Sequence, residues 1–234
     1  MKNNFLKGIS NAIPIALGYL SVSFGFGILA VKSGLSIAAA TIISATNLTS
    51  AGQVAGLAII AEGGGLLEMA LTQLTINLRY ALMAISLSQN LSDSFSFPKR
   101  ALLSFGITDE IFAVAVSRPK KVTPSYMAGL IFISFIGWTG GTFLGASAGQ
   151  LLPQSITNAM GIILYGMFLA IIIPPARKHL SVLIVVLLSA IISFFFKYMI
   201  PSLSAGFAVI ICAVTASVAG AILFPVKDEE EKKE

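Results

Sequence analysis

An apolar stretch from Leu66 to Ser88 carries an arginine, Arg79, near its middle. At about 1.5 Å rise per residue, its 23 residues suffice to cross a bilayer as a helix. A guanidinium at that depth costs about 2.5–3.5 kcal/mol on insertion scales, so the helix needs a partner or an aqueous cavity for it. At about 100° per residue, Glu68, Thr72, Thr75, Arg79 and Ser86 share one stripe, with Asn77 on the opposite face. Two readings follow. In one, Glu68 or another buried carboxylate locks Arg79 in a structural ion pair. In the other, the seam lines a pathway for a polar solute.

The rest of the chain places this helix in a membrane protein. Of 234 residues, 56% are hydrophobic and 11% charged, whereas soluble domains carry about 25% charged residues. An all-α polytopic transmembrane bundle is the expected class, with residues 1–226 as one domain and 227–234 as a charged tail. The net charge of +5 does not imply nucleic acid, because the basic residues flank apolar runs, where they anchor topology. Cys212 is the only cysteine and His179 the only histidine. An internal disulfide is therefore excluded, and no metal or cofactor is expected.

In chain order, Met1 to Asn11 carries Lys2 and Lys7, and Ala12 to Val31 reads as a first span with Pro14 in its first turn. The next apolar run, Ser36 to Ala61, has a polar centre from Thr46 to Gln53. If helical throughout, Thr46, Ser50 and Gln53 share a face that packs helices. If broken, its free backbone N–H and C=O groups become ligands for a polar substrate. Glu62 to Gly65 is a turn that sets this run antiparallel to Leu66–Ser88. Gln89 to Pro98 is a surface loop. Ala101 to Ser117 is a 17-residue apolar run with Thr108-Asp109-Glu110 at its middle. One carboxylate can neutralise Arg79 while the other carries a proton; alternatively this is a re-entrant half helix whose carboxylates reach water. Ser125–Leu152, Asn158–Ile173, Leu180–Ile200 and Leu203–Phe224 complete about seven to eight spans. Eight put the N-terminus inside and seven outside, and the positive-inside rule does not separate them.

Polar residues thus fall near the midpoints of three successive segments, as a midplane transport site requires. These segments also carry a likeness. Ile13-Pro14-Ile15-Ala16-Leu17-Gly18-Tyr19, Phe24-Gly25-Phe26-Gly27, Ser50-Ala51-Gly52-Gln53, Asn77-Leu78-Arg79, Gly106 to Ala113, and Trp138 with Gly141-Thr142 resemble, in order, the AzlC-type branched-chain amino acid permeases. Tyr80 stands where that family commonly has His, and Asn47-Leu48-Thr49 where it commonly has Phe-Ala-Gly.

The resemblance implies a cell-membrane secondary transporter that exports leucine, isoleucine and valine with a small AzlD-type subunit. No nucleotide-binding motif is present, so the energy is expected from an ion gradient or a partner, with proton antiport the expected mechanism. Asn47, Ser50, Gln53, Asn77 and Arg79 would bind the substrate. Glu68, Asp109 and Glu110 would serve proton coupling or a buried ion pair. A membrane-embedded enzyme and a passive channel or structural subunit are the alternatives.

Overall fold

The computed structural model describes residues 2–149, 153, 166, 168–170 and 172–225. These are helices and short connections; the only β feature among them is an isolated bridge between Leu91 and Val122. The chain divides into two compact units, one of Met1–Leu57 with Asn77–Tyr165 and the other of Ala58–Ile76 with Gly166–Glu234.

The first unit is built on two long helices, α1 (Lys2–Lys32) and α7 (Pro124–Ala148). They run side by side in the same direction. Gly129 faces Phe5, Gly137 faces Ala16, Gly141 faces Leu20 and Gly145 faces Phe24, so the contacts advance together along both helices. Backbone touches backbone here: a Cβ added at Gly145 would lie 2.8 Å from Phe24 Cα, and one at Gly141 would lie 2.9 Å from Leu20 Cα. Small residues permit this approach, which supplies van der Waals packing where lipid offers no hydrophobic driving force. α1 begins well before Ala12, and Pro14 lies inside it rather than in its first turn. The extra turns are held by Gly8 against α7 and by Asn11, whose amide donates to the Tyr126 hydroxyl at 2.8 Å.

Two interrupted segments pack around this pair. The run Ser36–Ala61 is broken into α2 (Ile37–Thr46) and α3 (Ser50–Ala61), so the expected discontinuity is present at Asn47–Thr49. It does not cross as one span. Gln53 bonds back to Ser44, while Ala40 and Leu57 share one core cluster, so α3 returns along α2 as a hairpin.

The run Ala101–Ser117 is likewise two helices, α5 (Phe97–Ser104) and α6 (Asp109–Val116), each about 12 Å long. Its flanks meet: Ser92 N–H donates to the Val122 carbonyl at 2.9 Å, and Val122 N–H to the Asn90 carbonyl at 2.8 Å. This segment therefore leaves and rejoins the same end of the unit, which corrects its reading as a full span. The reason is local. Thr108 caps a new helix in place of continuing the old one, and Gly106 lies against Ile131, where a side chain would not fit.

Between the two hairpins runs α4 (Leu66–Ser88), with the bounds the sequence indicates. Parallel α1 and α7 require an odd number of crossings between them. With both hairpins folding back, α4 supplies the single one.

In the second unit, α8 (Leu180–Met199) and α9 (Ala205–Leu223) pack together, with Gly220 against Val185, and residues 172–178 are also helical. The span expected at Asn158–Ile173 lies largely outside the described residues. Four described helices are long and apolar enough to cross a membrane: most of α1, with α7, α8 and α9. α4 has the length but is diluted by Glu68, Gln73, Asn77 and Arg79.

Candidate functional site

The two breaks meet. A cavity of about 320 Å³ is lined by Thr46, Asn47, Leu48 and Thr49 from the first hairpin and by Ser104, Phe105 and Ile107 from the second. Asn77, Tyr80 and Ala84 of α4 close it. Its volume sits at the small end of the ~300–1,000 Å³ typical of ligand pockets, which suits a small solute. Asn77 is about 16 Å along α4 from Ser88, roughly half the thickness of a hydrocarbon core.

Helix breaks expose backbone groups that a continuous helix would satisfy. Threonine caps both returning helices. The Thr49 hydroxyl accepts from Gly52 N–H at 3.2 Å and donates to Asn77 Oδ1 at 2.9 Å, tying the first tip to α4. Thr108 accepts from Ile111 N–H at 3.3 Å. Thr49→Ala removes a cap and the Asn77 contact together. It should cost about 1 kcal/mol, measurable as a lowered melting temperature of the purified protein, where Thr49→Ser should retain stability.

Arg79 lies beside the cavity wall. Its Nη1 donates to Asp109 Oδ2 in an ion pair, and its Nη2 lies 3.4 Å from the Tyr80 hydroxyl, over whose ring the guanidinium also sits. The pair is not sealed: the two side chains are 41% and 44% exposed. Glu110 points elsewhere, accepting from the Tyr19 hydroxyl of α1 at 2.5 Å.

The expected site residues therefore separate into groups. Asn47 and Asn77 line the cavity, and Arg79 and Asp109 pair next to it. Ser50 opens α3 just behind the tip. Gln53 is buried away from the cavity: it donates to Ser44 Oγ and accepts from Trp138 Nε1–H, both at 2.8 Å. Glu68 belongs to the second unit. Its Oε1 accepts from Ser204 Oγ at 2.6 Å and from Gly206 N–H at 3.0 Å at the start of α9, so Arg79's carboxylate is Asp109 and not Glu68. Sequence reading missed Tyr19, Ser104, Phe105 and Ile107. The signal that could have found the second tip is Thr108 followed by two acidic residues, a helix-start pattern inside an apolar run.

Fold and site together define a helical membrane protein in which two hairpin tips and a central helix line a small open cavity with both apolar and polar walls. Comparison with known proteins agrees with that class. The chain belongs to the AzlC family: the family model described as AzlC protein matches residues 14–152, which contain every residue of the first unit's site. It is 29% identical over 184 residues to the inner membrane protein YgaZ of Escherichia coli (strain K12), covering 76% of this chain and 75% of that protein. It is 31% identical over 172 residues to an uncharacterized membrane protein of Archaeoglobus fulgidus, covering 73% and 75%. No solved structure matches the chain.

Proposed function

We propose that this protein is the large subunit of a multi-pass cell-membrane exporter of branched-chain amino acids, driven by proton antiport and working with a small AzlD-type subunit. Family membership supports the class. The observation that carries the reading is the meeting of two helix breaks at one cavity beside an accessible ion pair.

Leu48, Phe105, Ile107 and Ala84 offer an apolar wall for an aliphatic side chain, and Asn47, Thr49 and Asn77 offer polar groups for a zwitterion. In this reading the substrate inserts between Arg79 and Asp109, its carboxylate on the guanidinium and its ammonium on the carboxylate. A proton on Asp109 removes the ammonium's anchor, so substrate and proton exclude one another. That exclusion is the condition for antiport.

In the topology we propose for the first unit, α1, α4 and α7 cross and the two hairpins re-enter from opposite faces. Among the described residues of the first unit, Lys7, Lys99, Arg100, Arg118, Lys120 and Lys121 lie toward the end where α7 begins, and Lys32 toward the other. In this topology the positive-inside rule favours a cytoplasmic N-terminus. Cysteines introduced at Ser94 and at Gly34, in a Cys212→Ala background, should react with an impermeant maleimide from the cytoplasmic and the external face respectively. Labelling of both from one face would overturn this arrangement.

The functional test is efflux of labelled leucine from vesicles, with and without the AzlD-type subunit and a pH gradient. Gradient-driven efflux that needs the subunit is expected. No efflux of leucine, isoleucine or valine by folded protein in any of these conditions would refute the reading.

A further inference from the structure

Tyr19 is a buried hydroxyl at the middle of α1 that the transport scheme above leaves unused. Its oxygen lies 2.5 Å from Glu110 Oε2 and 2.6 Å from Thr108 Oγ1. One hydroxyl proton serves one acceptor, so the bonds order themselves. Ile111 N–H donates to Thr108, Thr108 O–H donates to Tyr19, and Tyr19 O–H donates to the carboxylate. The second hairpin's tip is thereby fastened to α1 through a group whose charge can change.

The other side of the Tyr19 ring meets the first hairpin. Trp138 of α7 stands edge-on to it, with centroids 5.2 Å apart, and Leu48, a wall residue of the cavity, completes the same buried cluster. The indole N–H of Trp138 holds Gln53, and Gln53 holds Ser44, which bonds Thr142 at 2.7 Å. Both tips therefore rest on one aromatic pair set in the glycine-packed α1–α7 platform.

We infer that Tyr19 is a positioning residue which transmits the protonation state of Glu110 from the second hairpin to Trp138 and the Leu48–Gln53 face of the first. While Glu110 is charged, Tyr19 O–H makes a charge-assisted bond, the stronger kind. When Glu110 takes a proton, that bond weakens to a neutral one and the Tyr19 ring is released against Trp138. The charged or titratable groups around Glu110 are Tyr19 from α1, Arg79 and Tyr80 from α4, and Asp109 beside it on α6. Asp109 is already paired with Arg79. From α7 and the first hairpin, the cluster presents Trp138 and Leu48, which do not ionise.

Trp138 is the only tryptophan in the chain, so the protein carries its own reporter. The experiment is Trp138 emission of the purified full-length protein against pH, without substrate. Wild type should show one reversible transition. Glu110→Gln and Tyr19→Phe should each remove it, the latter keeping the ring and its packing, while Asp109→Asn should leave it in place. A transition that survives in Tyr19→Phe or in Glu110→Gln, or no transition in the wild type, would overturn the inference. Should Tyr19→Phe not fold, the comparison of Glu110→Gln with Asp109→Asn decides the matter alone. A second readout, the pH profile of leucine efflux, should flatten in Tyr19→Phe while efflux persists. It rests on the exporter reading, whereas the emission test does not, so failure of either can be told apart.

Discussion

Leucine efflux should fall about a hundredfold in Arg79→Ala, the loss expected when one partner of a hydrogen-bonded charge pair is truncated at a binding site. Arg79→Lys should fail nearly as far. The guanidinium reaches Asp109 with one nitrogen and approaches the Tyr80 hydroxyl with the other, while its carbon lies 5.0 Å from the centre of the Tyr80 ring. A lysine ammonium is a single point charge and cannot reproduce this fork. The double variant Arg79→Ala/Asp109→Ala separates function from structure. It leaves no unpaired charge, so it should accumulate as folded protein and still not transport. Efflux restored in that double variant would show that the pair is only a lock.

Gly145→Val should prevent the accumulation of folded protein. Its Cβ would fall on the Phe24 backbone, which cannot yield without separating the parallel helices. Overpacking typically costs about 1–3 kcal/mol where side chains can shift, and here the obstacle is main chain. Both hairpins lean on this platform, so the damage should spread to the whole unit. Size-exclusion profiles of detergent extracts would show the loss. Gly18→Ala is the control: an added Cβ there meets nothing within 4 Å, and that variant should behave as wild type.

Much of this architecture is legible in the sequence, because burying backbone and charge in lipid leaves few solutions. Arg79 at mid-helix demanded a carboxylate, and Thr108-Asp109-Glu110 at mid-segment supplied one. The polar run Thr46–Gln53 announced a break, since four residues that favour caps and turns, Thr46, Asn47, Thr49 and Ser50, sit together with only Leu48 between them. Crossing was not legible. An apolar run of 17 or 26 residues has the length of a span whether it passes through or folds back, and only long-range contacts, Ser44 with Gln53 and Asn90 with Val122, distinguish the two.

The partners of polar side chains were equally hidden. Helical periodicity put Glu68 on the stripe of Arg79, yet Glu68 caps α9, whose start lies far along the chain. Gln53 and Asn47 read alike in sequence. The structure commits the first to Trp138 and Ser44 and leaves the second on the cavity wall.

The central claim, that the cavity between the two tips is where the transported amino acid binds, is tested most directly by substrate protection. A cysteine at Ser104, in a Cys212→Ala background, lines the cavity at a position whose own hydroxyl bonds the Ala101 carbonyl of the same helix. With leucine at ten times its Kd, only about a tenth of sites remain free, so modification by a small maleimide should slow about tenfold. Alanine-substituted Arg79 should abolish that protection. Labelling of Ser104→Cys at an unchanged rate, in a protein that still moves leucine, would mean that the substrate passes elsewhere.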